Sequence, residues 1–266
     1  MKTNLIVSCI AVLTLMQSCQ KDYVQKTENA LVSTSQEDLI DARLNDSSLL
    51  CYYPFNSNLK DKSGHNNHGA LVGNISFVTD RFGRPSKAAS FAASNTYIEV
   101  PEADFVGLTE MTVSMDFYAT TSNRQLLFSK ITHDIPYTSP DWNASLVLVI
   151  EQANADPIQF NTKKEGYCNS PWDWDWNTTI NSNTNFELNK WNHIAVTFND
   201  NEQKMYLNGV LVGSQPKVSS PVCQAEPLRL GVWWSQDPLY FEGYMDEVRI
   251  FNRVLTDKEI KRLSTK

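Results

Sequence analysis

Residues Lys190 to Gly213, KWNHIAVTFNDNEQKMYLNGVLVG, constrain the fold more than any other stretch of this 266-residue chain. Two runs alternate apolar and polar side chains. Ile194, Val196 and Phe198 share one face of the first run, and Met205 and Leu207 share one face of the second. A period of two gives a strand with one dry and one wet face. The polar segment Asn199 to Gln203 separates the runs. Asn208-Gly209 then supplies a two-residue turn, because both residues tolerate the positive φ that such a hairpin needs. Val210 to Val212 returns as a third strand. An antiparallel meander of this kind points to a sheet that displays a surface and away from nucleotide-binding crossovers.

The rest of the chain supports that reading. From Ser48 onward short apolar runs recur between turn signals: Leu49 to Tyr53, Ala88 to Phe91, Tyr97 to Val100, Met111 to Tyr118, Gln125 to Ser129, Ser145 to Ile150, Leu228 to Trp234 and Tyr244 to Phe251. Their spacing predicts one all-β sandwich of two antiparallel sheets. Near the end, Thr256 and Glu259 form a capping box, and Leu255 with Ile260 a hydrophobic staple, so a short helix closes the chain. The formal net charge of -7 argues against nucleic acid and against anionic membrane surfaces as partners.

The beginning reads differently. Lys2, an apolar run from Leu5 to Met16, and Ser18-Cys19 make a signal peptide, too short to span a bilayer. Met16-Gln17-Ser18-Cys19 resembles the lipobox of bacterial lipoproteins, and Gln20-Lys21-Asp22 resembles export signals of Bacteroidetes surface lipoproteins. That resemblance implies lipidation at Cys19, membrane attachment through the lipid anchor alone, and an outer-membrane, surface-exposed location. The expected organisation is a signal peptide over 1–18, a lipidated tether over 19–47 with a weak helical stretch from Gln36 to Leu44, and one domain over 48–266. Of the remaining cysteines, Cys51 reads as a small buried hydrophobe. Cys168 and Cys223 lie in polar, Pro-containing stretches of an exported protein, where a disulfide is permitted and sequence alone does not set the pairing.

Three segments carry a family resemblance: Asp61-Lys62-Ser63-Gly64-His65-Asn66-Asn67-His68-Gly69; Trp191 to Phe198 with Tyr206-Leu207-Asn208-Gly209; and Gly243 to Asn252, GYMDEVRIFN. In this order and spacing they resemble the laminin-G-like, concanavalin A-like jelly rolls. The resemblance implies a two-sheet antiparallel jelly-roll sandwich over Ser48 to Leu263. It also implies a structural calcium between the Asp61 loop, with His65 and Asn67, and Asp246 at the start of the last strand. Calcium takes several oxygen ligands at once, and a polar loop with a carboxylate can supply some of them. The alternative for Asp61 is an Asx-turn without metal. Met245, Val248 and Ile250 are all apolar, so a β-bulge near Asp246 would seat Met245 in the core and turn Asp246 away from it.

Asn169 to Asn177 contains Trp172, Trp174 and Trp176 at alternate positions, with Asp173 and Asp175 between them. In an extended segment the indoles share one side and the carboxylates the other. Indoles stack on the apolar faces of sugar rings while carboxylates take hydroxyls, and a polar, Pro-bounded loop is a poor core context. Trp233 and Trp234 would extend that surface. Trp191 opens a core strand and reads as packing. No strand carries the alternating acids E-x-D-x-x-E of jelly-roll glycosidases, and no G-x-S-x-G elbow is present. His193 faces away from the core and reads as structural. The expectation is a non-catalytic surface lipoprotein that captures a polysaccharide or other glycan. An adhesion module of the same fold is the alternative, and a glycoside hydrolase is a more distant one.

Overall fold

The computed structural model describes residues 25, 39–42, 44–91, 95–101, 105–131, 144–152, 157–162, 179–182, 184–216, 227–233 and 238–265. The chain divides into two compact units, Met1–Asp46 and Ser47–Lys266. In the first, residues 39–42 are helical and the Leu44 N–H donates to the Ile40 carbonyl. Cys19, Cys168 and Cys223 lie outside the described residues. Among the described residues no helix is long and apolar enough to cross a membrane.

The second unit is a two-sheet antiparallel sandwich. Its strands are β1 (Leu49–Tyr53), β2 (Ala70–Val72), β3 (Ser76–Val78), β4 (Ala88–Phe91), β5 (Tyr97–Val100), β6 (Met111–Ala119), β7 (Gln125–Ile131), β8 (Ala144–Ile150), β9 (Ile158–Thr162), β10 (Thr179–Ser182), β11 (Trp191–Phe198), β12 (Glu202–Leu207), β13 (Val210–Pro216), β14 (Leu228–Leu230) and β15 (Gly243–Phe251). The first sheet runs β13-β12-β11-β6-β15-β4-β3, with β1 also beside β15; the second runs β10-β9-β8-β7-β14-β5-β2. Between them lies one apolar core. It takes Ile194, Val196, Phe198, Met205 and Leu207 from the meander, and Met115, Phe117, Leu148, Phe160 and Ile250 from its neighbours. Burying each such side chain stabilises the fold by about 1.5–3 kcal/mol.

The meander forms as its alternation dictates. Asn208 (φ 52°) and Gly209 (φ 74°) join β12 to β13, and Leu207 pairs with Val210 across the turn. The strands that periodicity missed are β2, β3, β9 and β10. The first two have three residues each, and β10 offers one core side chain, Ile180. In β9 only Ile158 and Phe160 are apolar, between Gln159 and Asn161.

Helix α1 (Asp257–Thr265) closes the chain. Thr256 N–H donates to Glu259 Oε2 at 2.7 Å and Glu259 N–H to Thr256 Oγ1 at 3.4 Å, which is the capping box. Arg253 grips the same Glu259 carboxylate with two nitrogens, at 3.0 and 3.1 Å. Leu255 and Ile260 are both buried.

The predicted bulge is present. Against β6 the register of β15 shifts between Asp246 and Arg249, and Glu247 has a φ of 53°. Met245 and Val248 both reach the core, with Asp246 and Glu247 between them. The bulge falls where β15 changes neighbours: β4 pairs with Gly243–Met245 and β1 with Val248–Phe251.

Candidate functional site

The outer face of the first sheet, the one turned away from the core, runs in four rows across β11, β6 and β15, the second of them Ala195–Ser114–Arg249. The first two rows meet α1 and its lead-in: Leu255 N–H donates to Thr112 Oγ1 in the end row, and Tyr206 Oη, beside Ala195 in the second, donates to Asp257 on the first turn. The third row is titratable. His193 stands opposite Asp116, and Asp116 opposite Asp246. All three are buried, with relative exposures of 3 %, 1 % and 0 %. The far row is aromatic: Trp191 opposite Tyr118, and Tyr118 opposite Tyr244.

The titratable row is under-supplied with partners. Arg81 reaches in from the β3–β4 loop and binds Asp116 Oδ1 at 3.1 Å. It also donates to the carbonyls of Ser264 and Leu263, capping the C-terminus of α1. Asp246 Oδ1 accepts the Glu247 N–H at 2.8 Å. Asp116 Oδ2, Asp246 Oδ2 and His193 Nδ1 are buried and have no hydrogen-bond partner among the described residues. Burial pushes the Asp116 carboxyl up to about 7, with Arg81 pulling against it. Burial and then the Glu247 charge push Asp246 up to about 8, with Asp116 and Asp80 adding to the rise. Burial holds His193 down to about 3, with Arg81, Arg249 and Lys261 adding to the effect. His193 Nε2 lies 2.9 Å from Ser114 Oγ, and its backbone N–H donates to Asn208 Oδ1 of the hairpin turn. These contacts make it a structural link between β11 and the turn.

The Asp61 loop is built in the opposite way. Asp61 Oδ1 accepts the N–H groups of Tyr52 and Ser63, at 2.9 and 2.8 Å. Oδ2 accepts the Ser63 hydroxyl and the Asn67 N–H, at 2.8 and 3.0 Å. Burial would raise this carboxyl, but the hydrogen bonds from Ser63, Tyr52 and Asn67 outweigh it and hold it below the usual range. Asn67 donates to the Leu50 carbonyl, its own carbonyl accepts the Tyr53 hydroxyl, and His65 is exposed.

A carboxylate offers about four lone-pair positions, and Asp61 has given all four to protein donors. Asp61, His65 and Asn67 therefore do not fit a calcium shell shared with Asp246. Among the described residues no group of three or more His, Cys, Asp or Glu could hold a metal ion. What fits the chemistry of a hard cation is the pair of unpartnered oxygens on Asp246 and Asp116. Sequence reasoning missed Asp116. The signal was a carboxylate on the polar face of an otherwise regular alternation, MTVSMDFYA.

Of the expected aromatic surface, Trp172, Asp173, Trp174, Asp175, Trp176 and Trp234 lie outside the described residues. Trp233 is half-buried on the outer face of the second sheet, against Leu126, Ile131, Val147 and Val149. Ile131 pairs with Ala144, Leu146 with Thr162, Asn161 with Thr179, and Arg229 with Ser129. The strand ends that flank residues 132–143 and 163–178, and the start of β14 after residue 226, thus share one end of that sheet.

The family described as the concanavalin A-like lectin/glucanases superfamily matches residues 92–261. No curated protein matches the chain in sequence. Among solved structures, domain 4 of a GH43 extracellular arabinanase from Geobacillus stearothermophilus, in complex with arabinotriose, superposes with a TM-score of 0.60 at 22% identity. The match covers 82% of this chain and 98% of that one. The receptor binding domain of botulinum neurotoxin C/D mosaic serotype gives 0.60 at 16% identity, covering 83% and 51%. The ligand binding domain of botulinum neurotoxin serotype D, in complex with N-acetylneuraminic acid, gives 0.61 at 16% identity, covering 85% and 52%. The chain thus spans about half the length of the toxin domains.

Proposed function

Because the chain belongs to the concanavalin A-like lectin/glucanases superfamily, we propose that it is a non-catalytic carbohydrate-binding protein. Solved proteins of the same fold hold arabinotriose and N-acetylneuraminic acid. The observation that carries the reading onto this chain is where the strands of the second sheet begin and end. The aromatic-rich segments 132–143 and 163–178 are flanked by strand ends at one end of that sheet, and β14, which follows segment 217–226, starts at the same end. Trp172, Trp174 and Trp176 are the stacking residues, Asp173 and Asp175 take hydroxyls, and Trp233 with Trp234 borders the surface. The shared anchorage also favours the Cys168–Cys223 bridge.

The non-catalytic part of this reading is supported by the acids that the described strands bring together. A glycosidase needs two carboxyl groups flanking an accessible bond, whereas Asp116 and Asp246 face each other in the interior at 1 % and 0 % exposure. Their proposed work is structural. With Asp61 occupied, Asp246 and Asp116 would hold the calcium, and the ion would supply the positive charge this buried pair lacks.

Lipid on Cys19 would anchor the protein in the outer membrane with the sandwich facing outward. Cys19→Ala in a Bacteroidetes host is expected to leave the membrane fraction, and unchanged fractionation counts against the anchor. For binding, the full chain is applied to an array of neutral, uronic and sialylated oligosaccharides, and the tightest binder is titrated by calorimetry. Trp174→Ala is expected to weaken that binding about tenfold or more, at unchanged melting temperature. An array with no binder, together with capture of a protein partner through the same tryptophans, would give the adhesion reading its place.

A further inference from the structure

The aromatic row on the first sheet belongs to neither the core nor the helix contact. Ring centroids lie 5.1 Å apart for Tyr118–Tyr244, 5.8 Å for Tyr118–Trp191 and 6.4 Å for Trp191–Tyr244. All three rings are half-buried. Gly243 lets β15 come this close to β6, since a Cβ there would fall 2.0 Å from the Tyr118 carbonyl oxygen.

Two features keep the row open. Helix α1 begins over Thr112, and its last carbonyls are tied through Arg81 to Asp116. It therefore ends at the titratable row and stops short of the rings. On the other side the described strand ends offer polar groups. Asn189 N–H donates to the Ala119 carbonyl and Thr120 N–H to that of Glu242, which sets Asn189, Thr120 and Glu242 side by side and exposed. Lys190 and Glu187 add an exposed ion pair next to Trp191.

We propose that Trp191, Tyr118 and Tyr244, rimmed by Glu242, Asn189 and Lys190, form a second carbohydrate subsite for one or two sugar rings. The proposal rests on the glycan-binding reading above. A tight triangle of rings is far smaller than the ~800 Å² per partner that a stable protein interface requires, but it matches the apolar face of a pyranose. The rim carries a carboxylate, an amide and an ammonium, the donors and acceptors that sugar hydroxyls take. A few polar groups around aromatic walls is the usual make-up of a small-ligand site. The polar rim also explains why these rings are left half-open, where Phe251 on the same face is fully buried.

The test uses the full chain and the tightest array binder. Trp191→Ala and Tyr244→Ala are each expected to raise its Kd about tenfold or more. Glu242→Ala, at an exposed position, is expected to weaken binding while the melting temperature stays the same. Full affinity in folded Trp191→Ala and Tyr244→Ala overturns the subsite. Should those two variants unfold, wild-type affinity in both Glu242→Ala and Lys190→Ala overturns it instead. Loss of binding in Trp174→Ala with no loss in any of these four variants rejects the subsite and leaves the glycan reading standing. An array without binders rejects both.

Discussion

The loop at Asp61 and the bulge at Asp246 each bury a carboxylate beside β1, and they meet its cost in opposite ways. Asp61 has four donors, three of them backbone N–H groups, and its carboxyl is held below the usual range. Asp246 has one among the described residues, the N–H of its neighbour, and its carboxyl is pushed up to about 8. The difference lies in the backbone. In a loop, N–H groups are free to converge on a side chain. In a strand they are spent on the ladder, so a carboxylate on the sheet must find donors from other elements. Among the described residues Arg81 reaches this row, and its ion pair goes to Asp116. One buried acid is thereby a finished structural part, while the other pair is left needing a proton or a cation.

The largest test of this contrast is Asp61→Ala. It would strand three backbone N–H groups and the Ser63 hydroxyl in a largely buried loop, at a cost of about 3 kcal/mol or more in urea unfolding. Asp61→Asn, which retains an acceptor, should lose less. A change below about 0.5 kcal/mol in Asp61→Ala, the range of ordinary surface substitutions, would mean the hydrogen bonds do not hold the loop.

Calcium comes next. At a hundredfold excess over Kd it should stabilise the fold by about 2.7 kcal/mol, a rise of several degrees in melting temperature, reversed by chelator. Asp246→Asn and Asp116→Asn should abolish the rise. Because the ion must displace a proton, the stabilisation should be larger at pH 9 than at pH 6. Melting curves indifferent to both calcium and chelator would leave the pair holding a proton alone.

The smallest effect is the pH dependence in chelator. Asp246 has a folded pKa raised to about 8, so its favourable protonated state is complete below the unfolded value of about 3.9. That contribution is lost as pH rises through 8. Asp246→Asn should therefore become more stable than wild type as pH climbs from about 4 to 8, by on the order of 1 kcal/mol. Asp61 has the reverse sign: its lowered pKa stabilises above about 3.9 and is lost as pH falls further. Both chains should share that acid limb. A stability gap between them that is flat with pH would remove the buried charge from the account.

How far the residues alone could be read divides along the same line. The period-two runs, the Asn208-Gly209 turn, the Thr256–Glu259 capping box and the bulge at Asp246 are short-range features. In each, the residues that meet are adjacent in the chain or close to it, so pattern and local stereochemistry are enough. Four short strands escaped because β2, β3, β9 and β10 carry too few core side chains to show a period. Trp191 read as core because it opens an apolar run, but the register of β11 against β6 puts it on the outer face beside Tyr118 and Tyr244.

The sequence by itself determined that this chain is an antiparallel β-sandwich with a capped terminal helix, because hydrophobic period and turn chemistry act over a few residues; the jelly-roll form was what the resemblance of three segments implied. Only the tertiary structure decided that Asp246 faces Asp116 and not Asp61, that Arg81 bridges Asp116 to the end of α1, and that three rings from distant strands share one open patch. Those meetings depend on strand order and cross-strand register. These are set by how the whole core packs, which no single segment records.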